Sequence, residues 1–419
     1  NADTIIKPAN DCFIKPQDGE NGISVIGNGA VELYFNNSKK IETTNTGAIV
    51  TGICTATSFS GSGEGLTRTT QLSHRNLIIN GDFKIAQRGT SHGSSGYRTV
   101  DRFQMTAGGA SHALTQAQVD VASGTTPYTE GFRKAYSITN AGQNANNQAY
   151  TYLQYKVEAQ DLATSGWNYT SSSSFITISF WIKASVTQTY LLTLHTNDGG
   201  TKEYNHLMSL SANTWTKITL NVPGNSGLQV DNDNGLGLNI YWTAYLGDHY
   251  TSTGSVDQWV THAGYTSRPD MGSTWWTTSN STFQLTGVQL EVGEQATPFE
   301  HRSFTEQLVR CQRYYEHSYN YGTAPGTASN SGSVMFLTNR SPGTAHTMLR
   351  YMTRKRAAPT LVSYDPTQAN TTGMRNLDDN VTYTSTMNRN GETGCTAYPT
   401  GSLNLGQFIQ FHYTADAEL

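Results

Sequence analysis

The stretch Phe283 to Glu316, FQLTGVQLEVGEQATPFEHRSFTEQLVRCQRYYE, constrains the fold more than any other part of this 419-residue chain. Phe283, Leu285, Gly287 and Gln289 alternate with Gln284, Thr286, Val288 and Leu290, the period-two pattern of a β-strand. Pro298 then ends regular pairing, because its ring removes a backbone donor. Ser303 and Glu306 form an S-x-x-E capping box. Phe304, Leu308, Cys311 and Tyr315 follow at helical spacing and predict one face of a short helix. A domain end, a hinge and a helix start are written into one segment.

Composition agrees with a chain built mainly of strands. Only 14% of residues are charged, against roughly 25% in an ordinary soluble protein. Gly, Ser, Thr and Asn fill the gap and tyrosine is abundant at 23, a profile of short strands joined by turns. The formal net charge of −4 excludes broad electrostatic binding to nucleic acid or acidic membranes. No apolar run approaches the roughly 20 residues of a membrane-spanning helix, so no membrane insertion is expected. Cys12, Cys54, Cys311 and Cys395 are far apart and lack C-x-x-C spacing, which predicts free thiols with no zinc or redox pair. The chain begins Asn-Ala-Asp, which suggests processing or a fragment whose natural N-terminus is missing.

Four regions follow. Residues 1–70 carry short extended pieces such as Val31-Glu32-Leu33-Tyr34-Phe35, separated by Asn/Gly turns. So few large apolar groups cannot make a conventional core, and burying Val31, Leu33, Phe35, Ile49 and Ile53 against identical copies would solve that problem. Gly61 to Gly65 reads as a flexible joint. Residues 71–302 form one large β-domain, opening with the apolar strand Asn76 to Phe83. Strand candidates follow at Phe175–Ile182, Tyr190–Leu194, Trp215–Val222, Leu236–Ala244 and Phe283–Leu290, the spacing of a sandwich or jelly roll. Residues 303–317 form a helical connector, whose Phe304, Leu308 and Tyr315 are expected to hold chains together. Residues 318–419 form a β-rich tip with strands at Val334–Leu337 and Phe408–Phe411.

These features resemble a known family. VELYFNNSKKIETTNTGAIVTG is similar to the interwoven shafts of trimeric bacteriophage fibres. N-L-I-I-N-G-D-F, then Gln87-Arg88-Gly89, Asp101-Arg102-Phe103, Asp233 to Leu238, Trp259 and the VQLEVG segment resemble the distal β-sandwich of phage tail fibres. CQRYY, Arg356 to Thr360 and Ala415 to Leu419 are similar to fibre tips. The resemblance implies an all-β homotrimer with an intertwined shaft, a jelly-roll sandwich, a short helix and a β-rich tip. It also implies a place on the virion tail and attachment through a missing N-terminal region to a tail adaptor. The sandwich further resembles carbohydrate-binding modules, which allows a structural calcium near its opening strand; no other cofactor is expected.

Catalytic patterns are weak. Glycan cleavage needs two facing carboxylates, and Glu203, Asp231, Asp233, Asp257, Asp270, Asp378 and Asp379 share no strand-face spacing beyond Asp231 and Asp233. That pair lies in Asp-Asn-Asp-Asn-Gly, a turn sequence in which Asx side chains cap the local backbone. H-E-x-x-H is absent from the sequence, and the eleven histidines are dispersed. Sugar binding needs less: aromatic faces for C–H surfaces and polar groups for hydroxyls. Tyr265, Arg268, Asp270, Trp275 and Trp276 form the most suggestive run. Adjacent tryptophans on an extended backbone point to opposite faces, so one of the two is expected to look outward. Tyr319, Tyr321 and Tyr398 are exposed-loop candidates in the tip. The expectation is a non-enzymatic fibre that binds a surface glycan such as lipopolysaccharide, the alternatives being a tailspike-like depolymerase and a structural segment without a receptor site of its own.

Overall fold

The structure is a computed structural model that describes residues 6, 8–55, 74–109, 113–142, 144–264, 267–338, 346–401 and 403–419. The chain forms two compact units, Asn1–Thr69 and Thr70–Leu419. The glycine-rich joint expected at Gly61 to Gly65 lies outside the described residues.

The first unit is one antiparallel meander of β1 (Cys12–Ile14), β2 (Ile23–Val25), β3 (Val31–Phe35), β4 (Ser38–Thr44) and β5 (Gly47–Val50). Its ladders are formed within the one chain. Leu33 stands opposite Ile23 and Ile41, Val31 opposite Val25, Ile23 opposite Ile14, and Ile41 opposite Val50. Directly opposed residues share a face, so this face is apolar from edge to edge. Ile14, Val25, Val31, Leu33, Phe35, Ile41 and Val50 are nevertheless exposed within the single chain. The other face carries Glu32, Tyr34 and Lys39, where Lys39 Nζ donates to Glu32 Oε1 at 3.0 Å. Ile49 stands opposite Glu42 on that polar face, away from Val31, Leu33 and Phe35; Ile53 is 94% exposed beyond the last strand.

The second unit begins with a sandwich of two antiparallel six-stranded sheets. Its strands are β6 (Ser91–His92), β7 (Phe103–Gly108), β8 (Leu114–Asp120), β9 (Lys134–Asn140), β10 (Tyr150–Glu158), β11 (Phe175–Ala184), β12 (Gln188–Thr196), β13 (Lys202–Leu210), β14 (Thr216–Pro223), β15 (Leu236–Leu246), β16 (Trp259–Thr261) and β17 (Ser281–Val292). One sheet runs β16-β13-β12-β15-β10-β7 and the other β14-β11-β17-β9-β8-β6, with Phe103, Leu153, Ile178, Phe180, Leu192 and Trp242 in the shared core. The all-β, jelly-roll-like architecture is therefore as expected from the sequence.

Three local expectations are corrected. Residues Asn76 to Phe83 are irregular instead of a strand. Asn76 lies beside β17 and uses its side chain where a strand would use backbone: Oδ1 accepts from Ile78 N and Leu290 N, and Nδ2 donates to Val288 O. A Cβ on Gly81 would collide with Val288 O, which fixes glycine at that close approach. Second, the alternation of β17 breaks at Gly287. Ile182 pairs with Leu285 and Trp181 with Thr286, but Ser179 pairs with Gln289, so two residues stand opposite the single Phe180. This β-bulge moves Val288 and Leu290 to the core side with Phe283 and Leu285. Third, the helix Phe304–Gln312 is shorter than its apolar spacing suggested. Ser303 Oγ accepts from Glu306 N at 3.2 Å as the capping box requires. Tyr315 has left the helix and opens a strand, buried under the Arg88 guanidinium at 3.6 Å from the ring centroid. It packs inside its own chain and is not available as a contact between chains.

The tip comprises β18 (Tyr315–His317), β19 (Val334–Leu337), β20 (Thr347–Arg350), β21 (Thr360–Tyr364), β22 (Met374–Asn376), β23 (Val381–Tyr383), β24 (Ser385–Asn388), β25 (Gly394–Pro399) and β26 (Phe408–Asp416). The long β26 pairs with β18, β19, β21 and β22, while β20, β25 and β24 make a separate small sheet. Beyond β26 the chain end is clasped by the sandwich. Arg102, at φ 72, pairs with Glu418 and lies 3.4 Å from the Tyr314 ring centroid, with its side chain 1% exposed. Arg88 reaches Asp416 at 3.0 Å and Glu418 at 3.5 Å. Arg356 donates to the carbonyls of Ala417, Glu418 and Asn234. Asp101, pushed up to about 6 by burial against the opposing pull of Arg88, accepts from Gln87 N. The sequence words Gln-Arg-Gly, Asp-Arg-Phe, Arg-Tyr-Tyr and Asp-Ala-Glu-Leu thus meet in one buried seam.

Candidate functional site

The outer face of the sheet β7-β10-β15-β12-β13-β16 is polar and aromatic where a solvated sheet would carry exposed charges. Strand alternation sends Phe103, Leu153, Trp242 and Leu192 inward and their neighbours outward. Register then aligns these neighbours in rows across the strands. One row reads Gln104, Gln154, Tyr241, Thr193 and Asn205; the next contains Lys156, Asn239, His195 and Glu203. The amides are joined side by side: Gln104 Nε2 donates to Gln154 Oε1 at 2.6 Å, Gln154 Nε2 to Asn239 Oδ1 at 2.7 Å, and Asn239 Nδ2 to Asn197 Oδ1 at 2.8 Å. Thr193 Oγ1 donates to Asn205 Oδ1 at 2.8 Å. Such a chain fixes each amide's orientation and leaves a rigid floor.

Residues 247–258, 262–264 and 267–270 fold over part of this face. They bring Tyr250, His262 and Arg268 beside Tyr150 and Tyr152, and these five residues with Leu246 and Gly264 line a cavity of about 310 Å³. The tyrosines are packed against one another: Tyr150 and Tyr152 are stacked at 5.9 Å, Tyr250 meets Tyr150 edge-on at 5.3 Å, and Tyr241 meets Tyr152 edge-on at 5.0 Å. Arg268 is held by the buried Glu203, with Nε and Nη2 at 3.1 and 2.7 Å from the same Oε1, and Ser267 Oγ donates to Oε2 at 2.8 Å. Burial raises the Glu203 pKa, but the Arg268 charge and the hydrogen bonds outweigh it and hold the carboxyl below its ordinary range. His195 is pushed down to about 4 by desolvation, against the pull of Glu203, and is therefore neutral at pH 7. The walls thus combine aromatic faces, hydroxyl groups and one charge-compensated guanidinium.

Of the residues singled out in the sequence, Arg268 lies in this cavity. Asp270 is exposed just beyond it, and Tyr265 lies outside the described residues. Trp275 and Trp276 are both fully buried. They sit on the helical turn Thr274–Thr277 and not on extended backbone, so adjacency does not force one outward. Trp276 stacks on Tyr245 at 4.7 Å and Trp275 Nε1 donates to Thr282 O. In the tip, Tyr319 is buried and stacked on His412 at 3.6 Å. Tyr321 is 44% exposed, with its hydroxyl donating to Lys84 O. Tyr398 is half-buried beside His346. The cavity residues Tyr150, Tyr152, Tyr250 and His262 escaped sequence reasoning. A usable signal was present in Tyr-Thr-Tyr-Leu-Gln at 150–154 and Asn-Ile-Tyr-Trp-Thr at 239–243, where polar and aromatic residues alternate with core residues.

No protein-family model matches the chain, and no curated protein matches it. Among solved structures it is similar to the enzymatically active domain of tailspike protein 4 of bacteriophage CBA120, at 9% identity and TM-score 0.30 over 52% of this chain. It spans 22% of that domain's length. It is also similar to the family 11 carbohydrate-binding module of a cellulosomal cellulase of Clostridium thermocellum, at 13% identity and TM-score 0.26, covering 50% of this chain and 98% of that module. A third likeness is to the carbohydrate-binding and catalytic modules of xylanase 10B from the same organism, at 9% identity and TM-score 0.26, covering 55% of this chain and 30% of that one.

Proposed function

We propose that the chain is the distal part of a homotrimeric bacteriophage tail fibre that binds a bacterial cell-surface glycan, such as lipopolysaccharide, during adsorption. The observation that carries this reading is the cavity over the outer sheet face, where three tyrosines, Arg268 and His262 surround about 310 Å³. That size is at the small end of ligand pockets, which run roughly from 300 to 1,000 Å³. Tyrosine rings offer flat surfaces to sugar C–H groups, while their hydroxyls and the guanidinium offer hydrogen bonds. The role is binding without cleavage. Among the described residues lining the cavity there is no carboxylate, whereas hydrolysis needs two, about 5–10 Å apart across the scissile bond. The nearby Glu203 is engaged by Arg268 and held ionised, which suits a positioning group better than a general acid.

The trimer rests on a different observation, the continuous apolar face of the β1–β5 sheet. A five-stranded single layer cannot bury that face by itself, and threefold packing of identical copies would cover it. Three weak glycan sites on one stalk then gain avidity by effective concentration. In this reading the fibre joins the virion tail through a tail adaptor.

The full chain on arrays of bacterial polysaccharides should bind at least one surface glycan, and Tyr152→Ala and Tyr250→Ala should each weaken that binding about tenfold or more with unchanged melting. Equal binding by both variants would remove the cavity from the proposal. New reducing ends released from the bound polysaccharide would favour a depolymerase instead.

A further inference from the structure

Glu203, His195 and His262 are brought together from three elements, β13, β12 and the segment after β16. One donor atom from each lies within 4.8 Å of the others. His195 and Glu203 are directly opposed on paired strands, so the ladder itself sets their approach. His262 Nδ1 is 3.1 Å from Glu203 Oε1, and the two imidazole centroids are 5.0 Å apart. Two donors on a tetrahedral ion with bonds of about 2.0–2.1 Å stand roughly 3.3 Å apart, so the Glu203–His262 spacing already has that size. His195 Nε2 is buried without a hydrogen-bond partner among the described residues, while its Nδ1 lies 3.5 Å from Tyr241 Oη. A buried polar nitrogen costs free energy unless it is satisfied.

We infer that His195, Glu203 and His262 form a site for a divalent transition-metal ion of the zinc class beside the tyrosine cavity, which His262 also lines. Two imidazoles and one carboxylate with remaining coordination positions are a donor set that such ions favour. Arg268 is the competitor. Its guanidinium occupies Glu203 Oε1, the oxygen that also faces His262. An ion taking that oxygen must displace the guanidinium or share the carboxylate with it. The site is therefore of moderate affinity, and Arg268 tunes it. Tyr241, with its hydroxyl near His195 and its ring 5.5 Å from the Arg268 guanidinium, supports both residues from the sheet.

The site shares His262 and Arg268 with the cavity of the glycan reading but does not require a glycan, and it has its own test. The full chain, stripped with chelator and carrying Cys12→Ser and Cys54→Ser to remove the two thiols that are not buried, is titrated with zinc chloride by calorimetry. It is titrated in parallel with cobalt(II) chloride by visible absorption. The expected result is one ion per chain, with cobalt d–d bands of low-coordinate nitrogen and oxygen ligation. His262→Gln and His195→Gln should each weaken uptake at least tenfold, and Arg268→Gln should strengthen it several-fold. His206→Gln, which removes a histidine paired with Asp257 elsewhere on β13, should leave uptake unchanged. Far-UV circular dichroism and melting confirm that each variant is folded. Absence of stoichiometric uptake at a free ion concentration of about 100 µM, or uptake that survives His262→Gln in folded protein, overturns the site. A loss of affinity in Arg268→Gln overturns the competition.

Discussion

Gly287 is where a single residue decides the packing of a whole strand. Its φ of +65 lies in the left-handed region, and a Cβ there would come within 2.7 Å of the Phe132 ring. Gly287→Ala should therefore cost about 2 kcal/mol through backbone strain and overpacking, read from chemical denaturation. Loss of stability below about 0.5 kcal/mol would mean that the bulge does not set the register. Arg102 is the second such residue. Its guanidinium is buried between the Glu418 carboxylate and the Tyr314 ring. Removing one member of a buried ion pair costs up to about 3–5 kcal/mol, and here Arg88, 3.5 Å from Glu418, still compensates part of the charge, so about 3 kcal/mol is expected. Arg102→Met should show that loss, and adding Glu418→Gln should restore part of it in a double-mutant cycle.

At the scale of elements, the β1–β5 sheet inverts the usual arrangement. Its apolar face is exposed, and on the other face Glu32 is joined by hydrogen bonds to Tyr34 and Lys39. Leu33→Lys places a charge at the middle of the apolar face, opposite Ile23 and Ile41. In the proposed assembly it should lower the mass measured by light scattering from trimer toward monomer at micromolar concentration, with the melting of the sandwich unit unchanged. A trimeric mass retained by this variant would place the association elsewhere. The turn Thr274–Thr277 teaches a second lesson about elements. One helical turn carries Trp275 and Trp276 inward together, with Asn140 Nδ2 donating to the carbonyls of both. The same two residues on a strand would have diverged.

For the whole molecule, the half-buried His195 and the buried His317 and His412 link stability to pH. Desolvation lowers His195 to about 4 and also depresses His317 and His412. Between the ordinary value near 6.5 and these lowered values, the unfolded chain binds protons that the folded chain does not, so stability falls as pH falls. Glu158 and Glu203, also held low, add to the loss below about pH 4.5, while Asp101, raised to about 6, works in the opposite sense between about 3.8 and 6. The melting temperature should accordingly drop from pH 6.5 to 4, and His195→Gln should flatten that slope. An unchanged slope in the variant would assign the titration to the other histidines.

The sequence by itself determined what depends on local chemistry. Apolar runs separated by turn residues placed β11, β12, β14 and β15, and a period-two run placed β17, because both signals are properties of neighbouring residues, and Ser303 capped the helix because its donor lies three residues away. The all-β class followed from the abundance of turn-forming residues and the shortage of charge. Tertiary structure decided what depends on residues distant in the chain. The opening segment at Asn76 looks like a strand by composition, yet its side chain is consumed by β17 more than two hundred residues later. The face on which Leu290 lies depends on a bulge opposite Phe180. The tyrosine cavity gathers β10, β15 and the segment around Arg268, and the His195–Glu203–His262 cluster needs strand register and a covering loop together. Register across a sheet is set by non-local pairing, so no local pattern in the chain could announce which outward side chains would become neighbours.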